Sequence, residues 1–278
     1  LAQAASKLAR ARALVKKLSA VETLGATQVI CTDKTGTLTK NEMTVEHMYI
    51  SGVLYHTTGA GYETNGTITD AEGHRLQPQD IANLRLFFET GVLASNASIH
   101  PPDNEHADWY CLGDPTEGAL VTLAHKAGID TEALNQQLPE LKEFAFDSAR
   151  KRMSSLRDYN GQLHVFTKGA PESVLEVSTH ALVKGKPVKL TRQLRTKILK
   201  QHMDWAEGAM RNLAYAYKQL PEGAHVHSMT MDSAESDLVF MGMVSMIDPL
   251  REDVADAMQA ARGAQIKVSI ITGDFAPT

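Results

Sequence analysis

Two short runs of β-branched residues constrain this chain more than any other feature. Residues 27–32 (Thr-Gln-Val-Ile-Cys-Thr) read as a buried strand ending in Asp33, with Cys31 in its core. Residues 266–271 (Ile-Lys-Val-Ser-Ile-Ile) read as a second, ending in Thr272-Gly273-Asp274. A helical pattern from Arg251 to Arg262 precedes the second run and stops at Gly263, a natural C-terminal cap. This order predicts an α/β unit with a parallel sheet and its site at the carboxyl ends of the strands. More than 200 residues separate the two runs. A second domain is therefore expected between the two halves of one sheet.

The intervening segment has a different texture. Gly52 to Gly73 is rich in Gly, Thr and Asn, with a turn signal at Asn65-Gly66, and Asn160-Gly161 separates two strand-like runs as a β-hairpin. Helical stretches follow Asp114, Pro171 and Thr191. An antiparallel sheet with helices packed on it, an α+β insert, is the expected form. At 43% hydrophobic and 22% charged residues the chain can bury a real core.

Other functions are excluded by charge and pattern. Twenty-eight basic against 33 acidic residues give −5, too balanced for a nucleic-acid protein. The longest apolar stretch, Leu238 to Ile247, is too short to span a bilayer. Two cysteines, Cys31 and Cys111, offer neither a disulfide framework nor metal-ligand spacing, and the 11 histidines read as surface or satisfied groups. The first 20 residues hold Lys7, Arg10, Arg12, Lys16 and Lys17 and no acid, reading as a basic amphipathic helix. That helix is either a solvated surface or the cytosolic end of a transmembrane segment, where Lys and Arg collect.

Asp33-Lys34-Thr35-Gly36-Thr37-Leu38-Thr39 is the most specific string. An Asp at a strand tip, followed by a Gly-containing loop, sets a carboxylate nucleophile where backbone amides can face phosphate oxygens. The string resembles the phosphorylation motif of the P-type ATPases, ion and lipid pumps that pass through an aspartyl-phosphate. Five further strings resemble landmarks of that family in the same order. They are Gly113 to Leu120, Phe146-Asp147-Ser148 with Arg150 to Ser154, Lys168 to Glu172, Asp248-Pro249-Leu250-Arg251, and Thr272-Gly273-Asp274. Thr35 occupies the position where phosphatases of the same superfold carry a second Asp as general acid and base. Thr cannot activate water, so an aspartyl-phosphate on Asp33 is expected to persist, as a pump requires.

The resemblance implies a haloacid-dehalogenase-like phosphorylation domain split by an inserted nucleotide-binding domain, with ATP and Mg²⁺ as cofactors. On that basis residues 1–20 lead from a transmembrane segment. Residues 21–45 and 243–278 form the phosphorylation domain, and 46–242 the nucleotide-binding domain. Phe146 is assigned to stacking on adenine, Glu117 to accepting its amino group, and Lys168 and Gly169 to lining the cavity. Arg211 is assigned to the nucleotide phosphates, with Arg150 a weaker candidate, and Asp248 and Arg251 to a hinge beside the nucleotide. Asp33 and the Thr35 carbonyl would share Mg²⁺, while Lys34, Thr272, Gly273 and Asp274 complete the phosphoryl site. No P-loop and no strand-borne G-x-G-x-x-G is present, so nucleotide is held by scattered contacts.

Plainer readings stand beside these. Asp114-Pro115-Thr116-Glu117 is a good helix start, with Asp114 as N-cap and Glu117 closing a capping box. Phe146 taken alone is a core residue, and Arg150-Lys151-Arg152 a solvated face. The hinge string has Leu250 where the family usually has a second proline. The family's later Mg²⁺-binding aspartate, its actuator domain and its transmembrane segments are not in this sequence, which reads as a headpiece that does not turn over ATP alone. The expected parent is a cation pump of the calcium and sodium branch, most similar to Ca²⁺ pumps, at the cytosolic face of a membrane. The alternatives are a soluble phosphatase or phosphotransferase of the same superfold, and a nucleotide-binding module without turnover.

Overall fold

The computed structural model describes residues 2–10, 13–14, 16–17 and 24–271. Thr272, Gly273 and Asp274 lie outside the described residues, as do Val15, Leu18 and Glu22. The strands are β1 Val29–Asp33, β2 Thr44–Ile50, β3 Val53–Thr57, β4 Ile68–Asp70, β5 Ser98–His100, β6 Tyr110–Leu112 and β7 Glu140–Asp147. They continue with β8 Arg152–Tyr159, β9 Gln162–Gly169, β10 Ser178–Val183, β11 Lys186–Lys189, β12 Arg211–Gln219, β13 Leu238–Ile247 and β14 Lys267–Ile271. The α-helices are α1 Ala2–Arg10, α2 Pro78–Asn83, α3 Arg85–Leu93, α4 Pro115–Lys126 and α5 Thr131–Gln137. After these come α6 Pro171–Glu176, α7 Arg192–Glu207, α8 Met231–Ala234 and α9 Val254–Gly263.

The chain divides into two compact units. One comprises the residues up to Asn41 together with those from Leu250; the other spans Glu42–Pro249. In the first, β1 and β14 pair in parallel from Val29↔Lys267 to Asp33↔Ile271, as expected of two halves of one sheet. The expectation that these strands are buried is corrected. Val29, Ile270 and Ile271 are more than half exposed, and Cys31 is exposed rather than core. Among the described residues this sheet has two strands, with α9 against β14, so its faces stay open. Gly263 does not cap α9: the helix runs through it, closes at Ala264, and the left-handed residue is Gln265 at φ 59°. The basic helix is also shorter than its charge pattern, ending at Arg10, with Leu14 outside it and 83% exposed.

The second unit is built on one sheet in the order β4-β3-β2-β13-β12-β9-β8-β7, with β10 and β11 attached through β13. Every pair is antiparallel except β10 with β13. Asn160 and Gly161, at φ 57° and 81°, make the two-residue β8–β9 turn, the left-handed pair that matches strand twist. One face buries Phe166, Met241 and Val244 under Phe87, Phe88 and Leu93 of α3 and Leu120 of α4. The opposite face buries Tyr49, Phe240 and Met243 under Val174 and Leu175 of α6 and Ile198 of α7. The unit's limits, 41/42 and 249/250, differ from the expected 45/46 and 242/243. The reason is β13, which continues past Gly242 to pair Ser245 with His47 and Ile247 with Thr44.

Candidate functional site

The start of α4 organises one end of the sheet. Asp114 caps it, its Oδ1 accepting the Thr116 and Glu117 amides at 2.7 and 3.4 Å, with Pro115 at the first helical position. Burial works to raise the Asp114 carboxyl, but bonds from Thr116 and the Glu117 amide, with the charge of Arg211, hold it below its ordinary value. The expected reciprocal half of a capping box is corrected. Glu117 does not turn back to the cap. Its Oε1 accepts Lys168 Nζ at 2.7 Å, and its Oε2 accepts the Asn96 and Ala97 amides at 2.7 and 3.1 Å.

Lys168, only 6% exposed on β9, also donates to Ser95 Oγ at 2.8 Å. Burial pushes its ammonium below the ordinary lysine value, and the Glu117 carboxylate opposes that. A buried charge held by one carboxylate and one hydroxyl makes a rigid polar floor. Ser95 and Asn96 belong to this floor and were not identified from the sequence, where no motif marks the stretch after α3. Arg211 opens β12 and donates from Nη1 to Thr116 Oγ1 at 3.0 Å, placing a guanidinium at the same helix start. Glu117, Lys168 and Arg211 are thus brought together around α4.

Phe146 lies at an irregularity of β7, between Phe144, opposite Ser154, and Asp147, opposite Arg152. The next strand pairs carry Arg152 to Gly169 and Met153 to Lys168. Phe146 is 63% exposed, which corrects the core reading and leaves a ring face free at the strand end. The tie between Asn96 Nδ2 and Glu143 Oε1, at 3.2 Å, joins β7 to the floor.

Two residues have other work. Arg150 donates from Nη1 to Glu235 Oε1 and from Nη2 to the Ala145 carbonyl. The buried Glu235 carboxylate also takes Arg152 Nε at 2.7 Å and Ser154 Oγ at 2.8 Å. Arg150 and Arg152 are therefore struts of the β7–β8 turn, neither a solvated face nor a free phosphate ligand. At Gly169 a Cβ would come within 2.5 Å of the Lys151 carbonyl and of Arg152 Cβ. Strand approach, rather than a ligand, requires glycine there.

Asp33 ends β1 in an extended conformation, and Lys34–Leu38 forms a turn broken by Thr35, at φ −74° and ψ 124°, and by Gly36 at φ 75°. Thr39 braces this loop, its hydroxyl accepting from the Gly36 amide at 3.1 Å and donating to the Lys34 carbonyl at 3.2 Å. Arg251 clamps it from outside, with Nε on the Thr39 carbonyl and Nη2 on the Gly36 carbonyl, both at 3.1 Å. Asp248 Oδ1 accepts the Glu42 amide at 3.3 Å, joining the first and last turns of the larger unit. Both hinge-string residues thus bind the chain's own backbone.

Residues 83–253 match a family model described as P-type ATPase, cytoplasmic domain N. The calcium-transporting ATPase of Bacillus subtilis (strain 168) is 36% identical over 276 residues, covering 98% of this chain and 30% of that protein. Calcium-transporting ATPase 1 of Lactococcus lactis subsp. lactis (strain IL1403) is 37% identical over 273 residues, covering 98% and 28%. The sodium/potassium-transporting ATPase subunit alpha-2 of Sus scrofa is 33% identical over 280 residues, covering 97% and 27%. The chain spans about 30% of the length of the curated relatives it matches. The match over 83–253 contains the Glu117–Lys168 floor, Phe146 and Arg211, and it shows that this chain belongs to the P-type ATPase family.

Proposed function

We propose that residues 42–249 bind the adenine nucleotide of ATP or ADP, and that in the parent pump Asp33 takes the γ-phosphoryl as an aspartyl-phosphate. The observation that carries the first half is Phe146: an aromatic residue 63% exposed at the end of β7, in a sheet whose β9, one strand beyond the intervening β8, carries Lys168 of the buried Lys168–Glu117 pair. An exposed aromatic face next to fixed polar groups is the form a purine platform takes. Lys168 and Glu117 hold each other, so their part is to shape the polar wall and keep it rigid. Arg211, tied by one Nη1 bond to Thr116, keeps donors for phosphate oxygens.

The second half rests on the loop after Asp33. A strand-tip carboxylate, the Thr35 carbonyl and a loop clamped by Arg251 offer hard oxygen donors that suit Mg²⁺. Mg²⁺, when bound there, supplies charge neutralisation for phosphoryl transfer. Thr35 leaves no second carboxylate to activate water beside Asp33. The parallel β1–β14 pair supports reading this unit as part of a haloacid-dehalogenase-type phosphorylation domain, with Thr272, Gly273 and Asp274 completing it. The names of the bacterial relatives favour Ca²⁺ as the transported ion. The remaining partners would be actuator and transmembrane domains, with this headpiece at the cytosolic face of a membrane. Among the described residues no helix is long and apolar enough to cross one.

ATP titration of this chain, followed by NMR shifts, tests the reading. A Kd of about 0.1–1 mM corresponds to about −4 to −5.5 kcal/mol. Phe146→Ala should weaken binding by about 1–3 kcal/mol. An unchanged Kd with the fold intact would refute the platform.

A further inference from the structure

Across the face of the sheet that α7 covers runs a row of polar residues on four adjacent strands. Asn212 on β12 lies opposite Ser245 on β13, Ser245 opposite His47 on β2, and His47 opposite His56 on β3. Ser245 is fully buried, and among the described residues neither its hydroxyl nor the Asn212 side-chain Oδ1 has a hydrogen-bond partner. The row is more polar than the packing uses. At its outer end the two histidines turn toward each other, Nδ1 to Nδ1, at 2.7 Å, with ring centroids 4.8 Å apart and planes at 86°. Trp205 of α7 stacks on His47 at 6.0 Å and fixes its ring plane. Both histidines and Glu46 line a cavity of about 320 Å³ that extends to Thr44, Thr57 and Pro249.

We propose that His47 and His56 form a site for a divalent transition-metal ion of the zinc, nickel or copper type, bound through the two Nδ1 atoms. Imidazole nitrogen is the ligand those ions favour. Tetrahedral coordination at about 2.0–2.1 Å per bond puts two ring nitrogens about 3.3 Å apart, so the pair opens by about 0.6 Å to admit one. Without the ion, one Nδ1 carries the proton shared between the rings. On binding, that ring moves its proton to Nε2, and both rings stay neutral. The Glu46 carboxylate stands 3.9 Å from His47 Nε2, on the side away from the ion, an ion-pair distance longer than a hydrogen bond. Water in the cavity completes the coordination. A second cluster, Asp70, Glu72 and His74, also gathers ligand atoms. Its Asp70 carboxylate, however, is taken by the Glu72 and His74 amides and the His74 ring.

The test uses Trp205 as reporter. The chain carries two tryptophans, so Trp109→Phe isolates it. Cu²⁺ alone is titrated into that variant and tryptophan emission is followed, with Zn²⁺ as competitor. Saturable quenching at one equivalent, reversed by Zn²⁺, is expected. His56→Ala should abolish the saturable phase, and His74→Ala should leave it unchanged. Metal-free melting temperatures of the variants check that each has folded. Quenching that survives His56→Ala in a folded variant, or that is lost in His74→Ala instead, would overturn the assignment. So would no saturable quenching in the Trp109→Phe parent.

Discussion

Replacing Glu117 by Gln removes one negative charge and one acceptor from a carboxylate that serves three donors: Lys168 Nζ and two backbone amides. Gln offers a single carbonyl oxygen. Turned toward the amides, it points its own NH₂ at the ammonium; turned toward the ammonium, it points NH₂ at the amides. Either way a donor faces a donor, and Lys168, only 6% exposed, loses its counter-charge. Breaking a buried pair by removing one partner costs about 3 kcal/mol or more. For a unit of this size that is a fall of about 6–12 °C in melting temperature. The assay is urea unfolding followed by circular dichroism at pH 7, read as a shift in midpoint at constant slope. The pH dependence carries a sign. Lys168 has its folded value below the ordinary 10.5, so between the two the unfolded state holds more protons and stability rises with pH. The penalty of Glu117→Gln, which lowers the folded value further, should therefore shrink as pH rises toward 10. Adding Lys168→Met should recover much of the loss, because an apolar replacement of both partners leaves no unpaired charge. A penalty under about 1 kcal/mol, or one that grows with pH, would refute the buried-pair account.

Gly169→Ala should cost about 1–3 kcal/mol in urea midpoint, since its Cβ has no room beside Lys151 and Arg152. Glu235→Gln should destabilise by a comparable amount and loosen the β7–β8 turn, seen as faster amide exchange at Ala145 to Arg152; protection unchanged there would remove Arg150 from its strut role. Lys126, whose ammonium bonds the Thr58 and Gly59 carbonyls, is lowered by burial to about 8. Its folded value lies below the ordinary 10.5, so it makes stability rise between pH 8 and 10.5, and Lys126→Met should flatten that rise in pH-resolved unfolding.

The elements with strong local signals were legible in advance. The Asn160-Gly161 hairpin, the Asp114, Pro171 and Thr191 helix starts and the parallel pairing of β1 with β14 all follow from turn chemistry, caps and β-branched runs. The floor of the candidate site was only half legible. Lys168 and Glu117 stood out, but their mutual bond, like the part of Ser95, depends on tertiary packing in which α3 lies on β9 and α4 against α3. Arg150 looked free because the carboxylate that engages it, Glu235, lies 85 residues away. The open faces of β1 and β14 escaped notice for a different reason. A β-branched run reports the propensity of a strand to be covered, not whether a second layer covers it. The pairing of His47 with His56 was invisible to any search for ligand spacing, since it arises from register across two strands.

The clasp between the Glu42 amide and Asp248, with Thr44 paired to Ile247, means that the larger unit begins and ends at neighbouring points on adjacent antiparallel strands. Backbone positions opposed in this way lie about 5 Å apart. To the flanking chain, the whole of residues 42–249 thus has the footprint of a tight hairpin. Such a body can be excised, exchanged for a homologue or circularly permuted with a short bridge from 249 to 42 without stretching its own ends. It also closes its loop once and for all when it folds, so the Asp33 run and the Lys267 run meet as though only a few residues separated them, despite the long path between.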